Sequence, residues 1–213
     1  MSRRLHATSF ALAAALILAS ACSTSEEPID VDPYERPGGA RDLITDAELA
    51  ILEDVGAVVF GGENPPELAG VYDRAGGEVI YHDRSEIEGT PLCYNIWTVE
   101  ATTDPARYTL SSENYNNCSG SSEGVGSYVS GDGDCFTLYV ASAGERDGCE
   151  HYGVGITSGC VTSDGITEMI SAGLAGERIS VEAGACEALI NDGLLGAEGE
   201  RDVLYRGFVE RVE

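Results

Sequence analysis

Residues 120–151 hold the chain's one set of side chains with the types and order of a nucleophilic triad. "GSSEG" (120–124) matches Gly-x-Ser-x-Gly with Ser122 as nucleophile, and Asp132, Asp134 or Asp147 and then His151 follow in the order serine, acid, histidine. In such a set the imidazole takes the hydroxyl proton and the carboxylate orients the imidazole, which makes ester or amide hydrolysis the chemistry in question. The motif works, however, where a strand turns sharply into a helix. Here it lies in "NNCSGSSEGVGS", a polar Ser/Gly-rich stretch with no parallel α/β pattern around it. We therefore read it as a chance match and assign no catalytic residue.

Metal and phosphate chemistry is equally thin. Beyond the N-terminal region the histidines are His82 in "YHD" and His151 in "EHY", with neither His-x-x-x-His nor Cys-x-x-Cys spacing, so no zinc set is expected. "SGDGDC" (130–135) alternates aspartate with glycine but lacks the further ligands and closing glutamate of a calcium loop, and reads as a turn. The glycine runs "GVGSYVSG" and "YGVGITSG" lack both the spacing and the lysine of a phosphate loop. No cofactor is expected.

The N-terminus carries a clearer message. Arg3 and Arg4 precede an apolar stretch from Ser9 to Ala19 and the small residues Ser20 and Ala21, which is the pattern of a secretory signal and too short for a membrane span of about 20 residues. Leu18-Ala19-Ser20-Ala21-Cys22 resembles the lipobox of bacterial lipoproteins. That resemblance implies cleavage after Ala21, acylation of Cys22 and, with Ser23 rather than aspartate next, sorting to the outer membrane. More than one acyl chain suffices for stable anchoring. The alternative is an ordinary signal peptide, cleaved nearby, that leaves Cys22 as a free thiol.

Cysteine arithmetic fits the tether. Without Cys22 six remain, Cys93, Cys118, Cys135, Cys149, Cys160 and Cys186, an even set suited to three disulfides in an exported chain. Asp104-Pro105-Ala106-Arg107 suits a type I turn, and a hairpin centred there pairs residues whose numbers sum to 211, as do Cys93 and Cys118. Asp147-Gly148 is a type I′ signal, and pairing about it gives 295, as do Cys135 and Cys160. Cys149 and Cys186 are then left. Fifteen pairings are open in principle, and a single bulge would break either sum.

The formal net charge is −25, and the chain has no lysine. Losing Arg3 and Arg4 with the signal leaves ten arginines against 37 acids, a mature charge of −27. Such a surface excludes nucleic acid and electrostatic docking to anionic lipid heads, and keeps an exported protein soluble.

Three regions follow: a signal peptide (1–21), a Pro/Gly-rich acidic spacer (22–41) and a single domain (42–213). "ITDAELAILEDVG" (44–56) predicts an amphipathic helix over 45–55. Thr45 and Glu48 form a capping box, Ile44 and Leu49 a hydrophobic staple, and Glu48, Ile51, Leu52 and Val55 one face. From Gly70 on the period becomes two. Strands are expected at 70–73, 78–82, 92–101, 107–111, 126–130, 135–141, 151–161, 165–172, 178–181 and 203–212, with a second short helix within 185–196. The fold class is mainly β: a single antiparallel β-barrel or sandwich of about eight to ten short strands.

"NPPELAGVYD" (64–73), with Gly70 two before Tyr72, resembles the start of lipocalin-like (calycin) barrels. The resemblance implies a barrel mouth that holds an apolar ligand. The strand 92–101 is apolar on both faces, which predicts cover by a barrel interior and by helix 45–55, and Tyr94, Ile96 and Trp97 are the candidate cavity residues. The leading expectation is a non-enzymatic envelope binding module whose partner is a small apolar ligand or an envelope protein. The alternatives are an exported hydrolase using Ser122 and His151, and a purely structural module.

Overall fold

The computed structural model describes residues 32–104, 107–115, 121–192 and 195–212. Residues 32–213 form one compact unit. Two helices open it, α1 (Gly38–Leu43) and α2 (Asp46–Glu53). The strands are β1 (Glu63–Asn64), β2 (Gly70–Arg74), β3 (Glu78–His82), β4 (Tyr94–Ala101), β5 (Tyr108–Tyr115), β6 (Ser121–Asp132), β7 (Cys135–Arg146), β8 (Cys149–Val161), β9 (Gly165–Ser180) and β10 (Arg201–Arg211). A third helix, α3 (Ala185–Asn191), sits between the last two strands.

All ten strands belong to one sheet, in the order β1-β6-β5-β4-β2-β10-β9-β8-β7, with β3 also paired to β10 and β6 also paired to β7. The fold is mainly β as expected, but neither sequence alternative, a wholly antiparallel barrel or a sandwich, describes this sheet as it stands. The β1–β6 pair is parallel, so the sheet is mixed, and there are not two face-packed layers. Nor are the strands uniformly short: β6 to β9 run 12, 12, 13 and 16 residues. Runs of Gly, Ser and Ala interrupt them, as at 121–124, 141–144, 153–155 and 171–176, which hides the apolar alternation that marks a strand in sequence.

Turn chemistry sets the register. Asp147 and Gly148 both have positive φ, 47° and 79°, as a type I′ turn requires, and β7 pairs β8 about them from Arg146↔Cys149 to Cys135↔Cys160. Cys135–Cys160 and Cys149–Cys186 are disulfides. Cys93 is also disulfide-bonded, and Cys118 lies outside the described residues. The other hairpin corrects the arithmetic. The Arg107 N–H does donate to the Asp104 carbonyl (3.0 Å), but the flanking ladder pairs Ala101 with Tyr108 and Tyr94 with Tyr115, so partners sum to 209 rather than 211. Thr102 also donates its N–H to the Arg107 carbonyl (3.2 Å), so the centre of the hairpin lies one residue earlier than the Asp104–Arg107 turn alone implies.

The sheet is apolar on both faces, and adjacent strand residues serve opposite cores. Leu138 joins Tyr72, Trp97, Val99, Phe136 and Met169 on one face; its neighbour Tyr139 joins Ile156, Ala172 and Val203 on the other, under the helices. The Thr45–Glu48 capping box forms, Thr45 Oγ1 accepting from the Glu48 N–H (3.2 Å) and Glu48 from the Thr45 N–H (2.8 Å). The buried helix face is Leu49 and Leu52, with Ile44 just before it; Ile51 is exposed. The helices cover β6 to β10, not β4 as the sequence suggested. On the outer face of β4, Tyr94 packs edge-on against Tyr115 (5.7 Å).

The spacer expectation fails over 32–41. α1 begins within it, Ala40 is buried, and the Arg36 side chain is fully enclosed, donating to Asp32 (2.8 Å), to the Ile44 carbonyl (2.9 Å) and to Asp46. Proline and glycine here start a helix at Pro37 rather than keep the chain solvated.

Candidate functional site

On the Trp97 face of the sheet lies a cavity of about 380 Å³, adjoined by a second of about 270 Å³ that shares Arg74, Ser112, His151, Leu195 and Leu204. The ladder explains what lines it. Tyr72 pairs with Trp97, Trp97 with Ser112, Ser112 with Ser122, Ser122 with Gly144, Gly144 with His151 and His151 with Arg178, one register row across β2, β4, β5, β6, β7, β8 and β9. Two residues along β2 from Tyr72, on the same face, is Arg74, paired with Asn95. The room comes from side-chain size. Gly153, Gly155, Gly173 and Ala175 line the wall where larger residues would fill it.

The wall carries charge. Arg74 is surrounded by protein and lies over the Trp97 ring, 5.2 Å from its centroid; its remaining open surface faces the cavity. Burial, with Arg206 as a like-charged neighbour, brings Arg74 down to about 9. Arg206 donates to the carbonyls of Arg74 (2.6 Å), Gly76 (2.7 Å) and Cys93 (3.2 Å), and burial lowers it to about 10. The Nε atoms of both arginines are buried without a partner, as are Asn95 Oδ1, Ser127 Oγ and His151 Nδ1. Such orphaned groups cost free energy in an empty cavity.

Asp202 stands across the cavity, against Gly173 and near Arg178. Burial pushes its carboxyl up to about 6, more than the Gly173 N–H and Arg178 pull it down. A carboxyl whose folded pKa exceeds its unfolded value binds protons more readily when folded. It therefore lowers stability as pH rises from about 4 to 6, and the cost persists above that. Asp202→Asn is expected to leave stability unchanged below pH 4 and to raise it by about 1–2 kcal/mol at pH 7.5, allowing for water in the cavity. Urea unfolding of both proteins from pH 3.5 to 8 checks this; a gain that did not grow with pH would contradict it.

The structure brings Ser122 and His151 onto one register row, with Gly144 between them. A Cβ on Gly144 would lie 2.6 Å from His151 Nε2, so the imidazole covers that glycine. The acids do not follow. Asp132 and Asp134 lie at the far end of the β6–β7 hairpin, and Asp147 in the β7–β8 turn. Residues 121–124 are strand with no helix after them, so no elbow forms; the side chain of Ser122 lies outside the described residues. Burial, then Arg178 and Arg146, lower His151.

His82 also borders the cavity, and its Nδ1 accepts the Arg84 N–H (2.9 Å), a structural role. Among the described residues no group of three His, Cys, Asp or Glu side chains could hold a metal ion. Of the three expected cavity residues, Trp97 lines it. Tyr94 and Ile96 do not, because the strand period of two turns them to the opposite face; Ile96 borders a separate outer depression with Asp73 and Tyr115. Arg74, Arg206 and Asp202 were missed; "GVYDR" puts Arg74 on the face of Tyr72, but only the pairing of β2 with β4 brings it to Trp97. No family model, curated protein or solved structure matches this chain.

Proposed function

We propose that this protein is a non-enzymatic binding module of the cell envelope, tethered through lipid on Cys22 to the outer membrane, that holds a small ligand in the cavity beside Trp97. The observation that carries this is a cavity of about 380 Å³ whose wall combines an aromatic ring with buried polar atoms that lack partners, the makeup of a ligand site rather than of a packing flaw. A barrel-like curl of the sheet would enclose such a site. It is supported by β6, which pairs with β5 along one edge and with β7 along the other. The lipobox at Cys22 lies outside the described residues and rests on the sequence pattern.

A hydrolase reading has the shared row of Ser122 and His151 in its favour and the displaced acids against it. In a purely structural module the cavity would stay empty of solute. One experiment separates the three: the membrane-extracted protein is examined by native mass spectrometry, and Trp97 emission is followed against a panel of small molecules that includes chromogenic esters. A bound mass or a saturable change in Trp97 emission without turnover is expected. Ester turnover lost in Ser122→Ala would replace this reading with the enzymatic one, and no bound mass and no emission change would leave the structural one. Cys22→Ser is expected to move the protein from the membrane pellet to the soluble fraction; retention in the pellet would remove the tether.

A further inference from the structure

We propose that the cavity takes its ligand by an oxyanion, a carboxylate or phosphate seated against the Arg74 guanidinium, with the ligand's apolar or aromatic body lying along Trp97, Leu110 and Val140. This rests on the reading of the cavity as a ligand site.

Arginine at the cavity wall is common; an arginine left unpaired there is not. Arg201 meets Asp83 at 2.6 Å, and Arg178 donates to the Gly196 (3.0 Å) and Tyr152 (2.5 Å) carbonyls. The Arg74 guanidinium, alone among the arginines lining that cavity, makes neither an ion pair nor a hydrogen bond to a described residue; its one contact of note is the Trp97 face. A guanidinium presents five N–H donors in a planar fork that matches two oxygens of a carboxylate or phosphate. The Trp97 ring lies beside that fork, its centroid 5.2 Å from the guanidinium carbon, and the side chain borders the cavity.

Arg206 adds to the same corner. Its two terminal nitrogens donate to three backbone carbonyls, one of them Arg74's own, so it is fixed in place, and no carboxylate of a described residue pairs with it. Two positive charges are thus held together in a low-dielectric pocket, where an anion is what relieves the repulsion. Burial lowers both groups, with Arg206 as a second cause only at Arg74, and each still carries its charge at neutral pH.

The acids facing the cavity do not supply the missing charge. Glu200 is engaged by Arg84, Glu145 accepts the Gly148 N–H (2.7 Å), and Asp202 lies at the Arg178 side. Neither a cation nor a wholly apolar ligand would satisfy Arg74. The contrast with the chain's net charge of −25 sharpens the point: an acidic exterior repels anions generally, so a positive interior selects those that fit.

The test uses two dyes with the same aromatic body, 8-anilinonaphthalene-1-sulfonate and its uncharged relative N-phenyl-1-naphthylamine. They are titrated into the full mature chain carrying Cys22→Ser, so that no acyl chain or detergent takes up dye. Energy transfer from Trp97, the chain's single tryptophan, reports binding at the cavity. The sulfonate is expected to bind roughly tenfold or more tightly than the neutral dye. Arg74→Met is expected to erase that preference while leaving the neutral dye's affinity unchanged, and Arg74→Lys to keep part of it.

Displacement by 1-naphthoate and by 1-naphthyl phosphate then says which oxyanion fits better, and a preference for either supports the proposal. Equal affinity of the two dyes, or a preference that survives Arg74→Met, overturns the oxyanion while leaving the ligand site standing. Binding of neither dye overturns the ligand site itself. Should Arg74→Met fail to fold, Arg74→Gln takes its place, since it keeps a donor and removes the charge.

Discussion

Arg36→Met is expected to destabilise the domain by about 3 kcal/mol, the cost of breaking a buried ion pair from one side. The Arg36 side chain has no exposed surface. Its three nitrogens go to Asp32, to the Ile44 carbonyl and to Asp46, and its guanidinium lies over the Tyr34 ring. Methionine fills the space but answers none of those acceptors. Asp32 suffers most, being nine-tenths enclosed, whereas Asp46 is half-exposed and can turn to water. Burial alone would raise the Asp32 carboxyl, but Arg36 and the Tyr34 N–H outweigh it and hold the group below the usual range.

A depressed folded pKa contributes stability that is present above pH 4 and lost as pH falls through the folded value. The gap between wild type and Arg36→Met should therefore be full at pH 7 and narrow towards pH 3. Urea unfolding at both pH values measures it. A loss under 1 kcal/mol at pH 7 would mean that residues 32–44 are not docked on the sheet, and that the spacer runs as far as the sequence suggested.

Local chemistry made part of this molecule legible. Thr45 and Glu48 are three apart and need only each other, so the start of α2 could be read directly. Asp147-Gly148 demands two positive φ values that few other pairs supply; once the turn is set, the register and the Cys135–Cys160 bridge follow. Asp104-Pro105 is less specific, because a type I turn can sit off-centre in a longer loop, and the register slipped by two.

What could not be read depends on contacts between distant segments. Arg36 looks like a spacer residue until Asp32 and Asp46 close around it. Arg74 looks like a surface charge in "YDRAGG", and only the pairing of β2 with β4 sets it over Trp97. The glycines of β8 and β9, which interrupt the strand pattern, are the residues that leave the cavity its room. The sequence therefore weakens as evidence for strands in the very region that forms the site.

Removing the second bridge by Cys149→Ala with Cys186→Ala is expected to cost about 4 kcal/mol, because the bond closes a loop of 37 residues and so restricts the unfolded chain more than the 25-residue Cys135–Cys160 loop does, at about 3.5 kcal/mol. The structural consequences should differ more than the energies. Cys135 and Cys160 face each other across β7 and β8, which already pair along their whole length, so losing that bridge leaves the native state nearly as it was. Cys149 and Cys186 instead fasten α3, a helix of seven residues, to the sheet, within a small buried cluster that includes Leu189 and touches Leu195. Without the bridge that helix depends on Leu189 and on the two arginines that hold the chain beyond it, Arg84 to the Ile190 and Leu195 carbonyls and Arg178 to the Gly196 carbonyl. Leu195 and Gly196 line the cavity, so loosening α3 loosens one wall of the site. Hydrogen exchange by mass spectrometry should show α3 and residues 195–200 opening well before the sheet in the Cys149/Cys186 variant, and no such local change in the Cys135/Cys160 variant. Uniform loss of protection in both would mean that α3 and the sheet unfold as one unit, with the wall of the cavity as firm as its floor.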